Sequence, residues 1–282
     1  MVTEDALLSQ LQEDIANNDL VLPTLPEVAL RVRDAVEDDN TSAGQIADIV
    51  ATDASLSARL LRVANSPLYR ARNPIDNLQT AIARMGYAVV RNLITSLVMQ
   101  QMFQATTEGL DQRLRQLWEH NVQVAAISRV LAARTPGLQK DQAMLGGLIH
   151  DIGILPILVR AEDMPELAEN DELLDRLIDK LHPILGAQIL TSWDFPESLI
   201  AVAAGHEDLQ REHEGPADYV DVVTVANLQG YIGTSHPVSR LDWSSVPAFA
   251  KLGIEPDINV VEIEDHQEEL EEIEHILITA PN

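Results

Sequence analysis

The sequence predicts an all-α protein built as two packed helical lobes that divide near residue 110. Apolar residues recur at spacings of three and four along most of the chain, which is the period of an amphipathic helix. Val, Ile and Thr do not gather in alternating runs, and the Asn-Gly and Asp-Gly pairs typical of hairpins are missing. Capping residues and prolines separate the apolar segments. These three observations favour helices throughout the chain.

The first lobe is predicted to contain short helices that start at capping residues. The expected elements are a helix over 4–16, a helix over about 26–36 and a short helix capped by Ser42. A fourth helix is expected to start at Asp53 or Ser55 and to stop before Pro67. A fifth should begin at Asp76 and end at Gly86, and a sixth should follow Gly86 and end near Phe103.

The second lobe is predicted to contain longer and more apolar helices. The expected elements are a helix from GLDQRLRQ to the residue before Pro136, one helix through MLGGLIHDIGILPILV, an acidic helix around 165–180, helices that start at Pro183 and Pro196, and a helix over 218–233. Residues 234–282 are expected to be loop-rich, with ten acids and no Lys or Arg between Glu255 and Glu274.

The charge of the chain restricts its partners. Against 45 Asp and Glu stand 19 Lys and Arg, a net charge of −26, so we do not expect binding to nucleic acid or to an anionic membrane. The first 160 residues carry a net −4 and the remaining residues −22.

Two further features suggest where the protein works. The absence of Cys excludes disulfides, iron–sulfur clusters and Cys-based zinc sites. The N-terminus is acidic, unlike a signal peptide, and no apolar run is expected to reach the length of a membrane span. We therefore expect a soluble cytoplasmic protein.

Four histidines and one aspartate form a candidate metal site. His120 lies on the apolar stripe of its predicted helix, and His150 and Asp151 are adjacent within an apolar stretch. His182 precedes Pro183 at a predicted helix N-terminus, and His206 closes the apolar run LIAVAAG. Imidazoles with a carboxylate suit a divalent transition metal such as Fe, Mn, Zn or Ni.

The alternative for each of these histidines is a hydrogen-bonded core residue without a metal. A single inward histidine is more often of that kind, whereas a carboxylate inside an apolar stretch is costly unless it is paired. The remaining histidines lie in polar, acidic surroundings and are expected to be solvated surface residues: His213, His236, His266 and His275.

A long series of motifs resembles the HDOD family, the HD-related output domain. It runs from LPTLPEVALRVRDAVEDDNTSAGQIADIVATDASLSARLLRVAN through LWEHNVQVAAISRVLAAR, GLIHDIGIL and HPILGAQILTSWDFPESLIAVAAGHED to DVVTVANLQGYIG. The resemblance implies a helical N-terminal lobe packed on an HD-like helical bundle, and a role in bacterial signal transduction. It implies an extension over 1–14, an HDOD domain over 15–235 with lobes 15–110 and 111–235, and an acidic extension over 236–282.

The resemblance to HD and HD-GYP phosphohydrolases also implies metal ligands. His120 matches the early His, His150 with Asp151 matches the His-Asp pair, and His182 and His206 match later HD-GYP ligands.

The chain departs from that pattern at four places. Asn227 stands at the late Asp, Gly205 replaces the first His of an HHE motif, Gln116 replaces a Glu ligand of some HD-GYP sites, and the GYP signature is missing. An amide carries no charge, so we expect weaker metal binding than an aspartate would provide.

Three functions are compatible with these residues. We favour a non-catalytic signalling module that acts through a protein partner, because the late Asp is lost. The second is a metal-dependent phosphohydrolase of a nucleotide or cyclic-di-GMP, in which the His and Asp residues bind one or two metals. The third is a DNA-binding helix-turn-helix over SAGQIADIVATDASLSARLLRVAN that would offer Ser55, Ser57, Arg59 and Arg62, but the overall charge opposes it.

Overall fold

The structure is a computed structural model that describes residues 13, 22–69, 74–103, 108–162, 164, 167, 170–234, 236–260 and 264–278 of the 282-residue chain. Every regular element in these ranges is helical and none is a strand, which confirms the predicted all-α class. The predicted helix over 4–16 lies outside the described residues except for Glu13.

The α-helices are numbered here in chain order. The first half contains α1 (Glu27–Glu37), α2 (Ala43–Val50), α3 (Ala54–Asn65), α4 (Leu78–Met85) and α5 (Tyr87–Met99). The second half contains α6 (Glu108–Arg134), α7 (Lys140–Ile149), α8 (Ile154–Glu162), α9 (Asp171–Ser192), α10 (Glu197–Gly205), α11 (Tyr219–Gly230), α12 (Pro247–Leu252) and α13 (Glu264–Ile278). Short 3-10 turns occupy Pro67–Tyr69, Gln100–Phe103, Pro237–Arg240 and Trp243–Ser245.

Side-chain caps start α2, α3 and α4, whereas α1 and α5 begin without one. Ser42 and Gln45 form a capping box at α2, and Asp53 accepts a hydrogen bond from the Leu56 amide at α3. Asn77, not Asp76, caps α4. Gly86 has a φ of +87°, a conformation that favours glycine, and it separates α4 from α5.

The apolar stretch around His150 is not one helix, contrary to the prediction. Helix α7 ends at Ile149, residues 150–153 form a turn, and α8 begins at Ile154. Gly153 explains the turn, because a Cβ atom there would lie 2.0 Å from the carbonyl oxygen of His182. The chain thus bends where its backbone contacts α9. The apolar periodicity of the sequence gives no sign of such a close backbone contact.

The prediction that Pro183 starts a new helix is wrong. Pro183 lies inside the continuous helix α9, so His182 lies in mid-helix and not at an N-terminus. An interior proline costs roughly 3 kcal/mol in a helix. The buried stripe of Leu177, Leu181 and Leu185 continues in phase through the proline, and its burial offsets that cost.

The two halves share one continuous apolar core. Helices α6 and α7 pack side by side, α11 crosses both, and α9 packs against α8 and α10. Helix α5 of the first half packs on α7. The segment expected to be loop-rich contains α12 and α13, and α13 packs on α6 through buried residues such as Leu270 and Leu277. The predicted domain boundaries stay predictions.

One apolar stretch, Lys140–Ala161, has the length and composition of a membrane span, contrary to the expectation from sequence. Within its most apolar 18-residue window, 83% of the residues are buried inside the fold. The turn at residues 150–153 also divides it into two helices. The stretch therefore forms part of the protein core.

Candidate metal centre

Five elements bring the predicted ligand residues to one place. His120 projects from α6, His150 follows the last residue of α7, and Asp151 lies in the next turn. His182 comes from the middle of α9, and His206 follows the last residue of α10. Residues up to 86 positions apart in the sequence thus meet inside the second half of the fold.

Asp151 lies at the middle of the group. Its carboxylate oxygens lie 3.3 Å from His150 Nε2, 3.4 Å from His182 Nε2 and 3.3 Å from His206 Nε2. The Nε2 atoms of His182 and His206 are 3.3 Å apart. All four side chains are buried, so these contacts are shielded from bulk water.

The backbone sets the orientation of the three imidazoles. Nδ1 of His150 donates to the carbonyl oxygen of Gly147 at 2.7 Å, and Nδ1 of His182 donates to Ile178 at 2.8 Å. Nδ1 of His206 donates to Val202 at 3.1 Å. A carbonyl oxygen can only accept, so each neutral ring has its lone pair on Nε2. Three imidazole acceptors therefore converge on a carboxylate that is also an acceptor.

The pKa shifts of Asp151 and the histidines bear on whether these groups can bind a cation. Burial lowers the pKa of His150 to about 3 and also lowers the pKa of His120. Burial alone would raise the pKa of Asp151, but His150, His206 and His182 hold it well below its usual range. Burial opposes protonation of His206, yet once protonated the ring donates from Nε2 to Asp151, and that hydrogen bond raises its pKa. At neutral pH the ionised carboxylate of Asp151 therefore lies beside the neutral imidazole of His150.

The residues present fit a metal ion. The buried Nε2 atom of His150 makes no hydrogen bond, and buried polar atoms normally have a partner. Only a proton or a metal cation can hold converging acceptors together, and backbone hydrogen bonds from Nδ1 are the usual support of metal-binding histidines. Asp151, His182 and His206 form one suitable group of three donors, and His120, His150 and Asp151 form another, so Asp151 is common to both.

His120 differs from the other three histidines because it is already paired. Asn227 Nδ2 donates to Glu207 Oε1 at 3.4 Å, which directs Asn227 Oδ1 toward His120 Nε2 at 3.0 Å. An amide oxygen can only accept, so His120 donates from Nε2. Asn227 at the late Asp position thus engages His120 in a neutral hydrogen bond.

Aromatic and acidic side chains border the centre on the His120 side. Tyr231 stacks on His120 with ring centroids 4.6 Å apart, and His236 stacks on Tyr231 at 3.9 Å. Burial, followed by the charges of Asp151, Glu207 and Asp179, raises the pKa of Tyr231. The rim is therefore negative, which favours cations over phosphate groups.

Sequence reasoning missed the residues that support the centre. Glu207 orients Asn227, and the Thr224 hydroxyl donates to the His206 carbonyl at 3.1 Å. The position of Glu207 directly after His206 could have identified it from the sequence as a supporting residue. Nothing in the sequence indicates that Tyr231 stacks on His120. Gln116, at the position of a Glu ligand in some HD-GYP sites, is exposed.

The other four histidines follow the prediction only in part. His236 and His275 are exposed, and the side chain of His266 lies outside the described residues. His213 is half-buried, contrary to the prediction, because Nε2 contacts Asp221 Oδ2 at 2.8 Å. Arg211 already pairs with Asp218 and Asp221 beside it, so this cluster is a closed ion-pair network.

The predicted DNA-reading role of Arg59 does not agree with its position. Arg59 is buried in the fold, and its Nη1 donates to the Leu97 carbonyl oxygen at 2.8 Å. The guanidinium is therefore engaged inside the protein and not presented on the surface of α3.

Comparison with known proteins identifies the family. A solved structure from Shewanella amazonensis SB2B, described as a candidate metal-dependent phosphohydrolase, is 30% identical with a TM-score of 0.85 and covers 98% of this chain and 100% of its own. A structure from Marinobacter aquaeolei VT8, described as a candidate signal transduction protein, is 18% identical with a TM-score of 0.62, over 94% of this chain and 61% of its own. The second likeness shows the fold alone.

A curated relative is longer than this chain. An uncharacterized protein from Treponema pallidum (strain Nichols) is 23% identical over 234 residues, which are 78% of this chain and 44% of that protein. The chain thus spans less than half the length of that relative. The family model described as the HDOD domain matches residues 22–209, most of the chain, and the resemblance in the motifs is confirmed. The chain therefore belongs to the HDOD family.

Proposed function

We propose that this HDOD chain is a signalling module whose buried centre binds one divalent transition-metal ion and which acts through a protein partner without catalytic turnover. The observation that carries metal binding is the convergence of three imidazole acceptors, each fixed by a backbone carbonyl, on the carboxylate of Asp151. The ligands would be His150, Asp151, His182 and His206, a set that suits Fe, Mn, Zn or Ni.

Two features support a role without turnover. Asn227 supplies a neutral amide where related hydrolases have an aspartate, and it occupies His120 Nε2. The rim carries Glu207 and Asp179, and no Lys or Arg among the described residues forms a hydrogen bond or ion pair with the four ligands. A phosphate ester would therefore approach a negative rim, which repels it.

The second candidate is a metal-dependent phosphohydrolase that acts on a nucleotide or cyclic-di-GMP. The supporting observation is the 30% identity, over the full length, to the structure described as a candidate metal-dependent phosphohydrolase. In that role the ion would act as a Lewis acid toward a phosphoryl oxygen. His120, held by Asn227, would be a group able to hold a proton beside the ligands.

Elemental analysis of protein purified without chelators or a histidine tag tests metal binding. We expect about one transition-metal ion per chain in the wild type. His182→Ala should lose most of it, whereas the control His275→Ala, which removes an exposed histidine, should retain it. If no metal copurifies and none of Mn, Fe, Zn or Ni binds on addition, the proposal is wrong.

Hydrolysis assays separate the two candidates. Metal-loaded protein should leave cyclic-di-GMP and bis(p-nitrophenyl) phosphate intact. Metal-dependent hydrolysis that is abolished by His150→Ala would establish the phosphohydrolase instead, because that variant removes a ligand with an anchored Nδ1.

A further inference from the structure

A cavity of about 490 Å³ lies between the two halves of the fold, apart from the metal centre. Helices α1 and α5 form one side, and α7, the C-terminal end of α9 and the N-terminal end of α10 form the other. Leu25, Ala29, Leu145, Phe195 and Leu199 supply an apolar wall. The volume is typical of pockets that bind small organic molecules.

Arg91 of α5 supplies to this cavity a positive charge that forms no ion pair with a described residue. The side chain is half-buried, and its Nε donates to Asn92 Oδ1 at 3.4 Å. No carboxylate forms an ion pair with Arg91 within the described part of the chain. A guanidinium presents five N–H donors and recognises carboxylate or phosphate groups in two-point contacts. The charge and the N–H donors of Arg91 therefore favour an anionic ligand.

Asn92 supplies a second polar group beside Arg91. Its side chain is only 4% exposed and lines the same cavity. Oδ1 accepts from Arg91, but Nδ2 makes no hydrogen bond to any described residue. The Nδ2 group is not among the fully buried polar atoms without a partner, so it is accessible and can donate to an acceptor group of a ligand in the cavity.

Two more polar groups line the opposite wall. Helix α10 begins after Pro196 without a side-chain cap, so the backbone N–H groups of Glu197 and Ser198 are left without a capping acceptor, whereas the Leu199 N–H donates to the Pro196 carbonyl oxygen. Gln142 of α7 is held beside that turn, because its Nε2 donates to Ser198 Oγ at 3.0 Å. The helix end adds a weak positive potential that favours an anion.

We propose that the cavity binds a small organic anion, with one carboxylate or phosphate group on Arg91 and Asn92 and an apolar body against Leu145 and Leu199. Three exposed acids also line the cavity: Glu37, Asp194 and Glu197. Their repulsion selects against polyanions such as nucleoside triphosphates and favours a ligand with a single anionic group.

This site is separate from the metal centre, although the two share helices. On α9 the cavity residue Thr191 lies nine positions after His182, and on α10 Glu197 lies nine positions before His206. At 1.5 Å per residue, the sites are roughly 13 Å apart along each helix. Anion binding is measured on both metal-loaded and metal-free protein. A negative result for metal binding therefore does not contradict anion binding in the cavity, and the reverse also holds.

Calorimetric titration of the full chain with octanoate and with octyl phosphate tests the site, with octanol as the neutral probe of equal length. We expect saturable binding of at least one of the two anions at millimolar concentration or below. Arg91→Gln should weaken that binding about tenfold or more, the effect of losing a charged hydrogen bond. Arg31→Gln, an exposed arginine on α1 outside the cavity, is the matched control and should bind as the wild type does.

Circular dichroism and the thermal midpoint establish that Arg91→Gln is folded. If that variant does not fold, Arg91→Lys replaces it, and we expect several-fold weaker binding because the lysine keeps the charge but loses the two-point contact. Three results would each overturn the proposal: no binding of either anion, octanol binding as tight as octanoate binding, or anion binding unaffected by substitution of Arg91.

Discussion

At the scale of single residues, hydrogen-bond direction decides what the centre can bind. His150, His182 and His206 use Nδ1 on backbone carbonyls and present Nε2 lone pairs to Asp151. His120 instead donates from Nε2 to Asn227. The same residue type thus serves as a candidate ligand in three places and as a hydrogen-bond donor in the fourth, because the partner of each ring determines its tautomer.

The buried histidines make the stability of the metal-free protein depend on pH. The pKa of His150 is about 3 in the folded state, whereas an unfolded histidine has a pKa near 6.5. Below pH 6.5 the unfolded state takes up the proton first, so the free energy of unfolding falls as the pH falls toward 3. Between pH 7 and pH 5 this group alone should remove about 2 kcal/mol.

Two neighbours modify this pH dependence. The lowered pKa of His120 acts in the same direction, and the raised pKa of His206 acts in the opposite one. Urea unfolding in EDTA isolates His150: His150→Gln should lose about 2 kcal/mol less than the wild type between these pH values. His275→Gln, at an exposed site, should retain the wild-type dependence. Parallel curves for wild type and His150→Gln would contradict the prediction.

At the scale of elements, close backbone approaches hold the centre together. Gly153 follows Asp151 in the turn between α7 and α8 and touches the backbone of α9 at His182 and Gly186. Gly147 allows α7 to approach α6, where a Cβ would lie 2.8 Å from Ala125 Cα. These contacts place His150 and Asp151 against His182, so the geometry of the centre depends on glycine at both sites.

Gly153→Ala should therefore destabilise the protein by about 3 kcal/mol or more, because the added methyl group meets backbone that cannot move aside. Gly146→Ala is the matched control in α7, where the added Cβ would lie 3.3 Å from Cδ2, a terminal methyl group of the Leu199 side chain and not backbone. Its stability should change by no more than about 1 kcal/mol, since alanine also favours the helix. Urea unfolding and metal content measure both effects, and equal losses in the two variants would refute this account of the turn.

At the scale of the whole molecule, the acidic C-terminal helix α13 joins both halves. Arg129 of α6 is 1% exposed and pairs with Glu269 of α13 and with Asp141 of α7. Arg59 of α3 contacts the carbonyl oxygens of Ile276 and Leu277 at the end of α13. The negative charge of the C-terminal region is thus used in part to neutralise a buried arginine.

Glu269→Gln should lower the free energy of unfolding by about 2 kcal/mol, because it leaves Arg129 with one acidic partner. The effect is smaller than for a fully buried pair, since the Glu269 side chain is 31% exposed. Glu268→Gln, one residue earlier and exposed, should change stability by less than about 0.5 kcal/mol. Chemical unfolding of the three proteins measures the difference, and an equally small effect of both variants would show that α13 is not anchored through Arg129.

The sequence by itself determined the all-α class, the cap at Ser42, the start of α3 at Asp53 or Ser55, the HDOD family and the residues that meet at the centre. These features are local or lie in motifs. Apolar periodicity indicates the buried face of a helix, and a capping residue lies within four residues of the backbone N–H group that it caps. The ligand role of His120, His150, Asp151, His182 and His206 stays a prediction.

The tertiary structure alone decided the turn at residues 150–153, the continuity of α9 through Pro183 and the pairing of His120 with Asn227. It also decided the anchoring of α13 and the cavity lined by Arg91 and Asn92. Each of these depends on contact between segments far apart in the chain. Periodicity records whether a residue is buried, but not which backbone atom, carbonyl oxygen or charge it meets there.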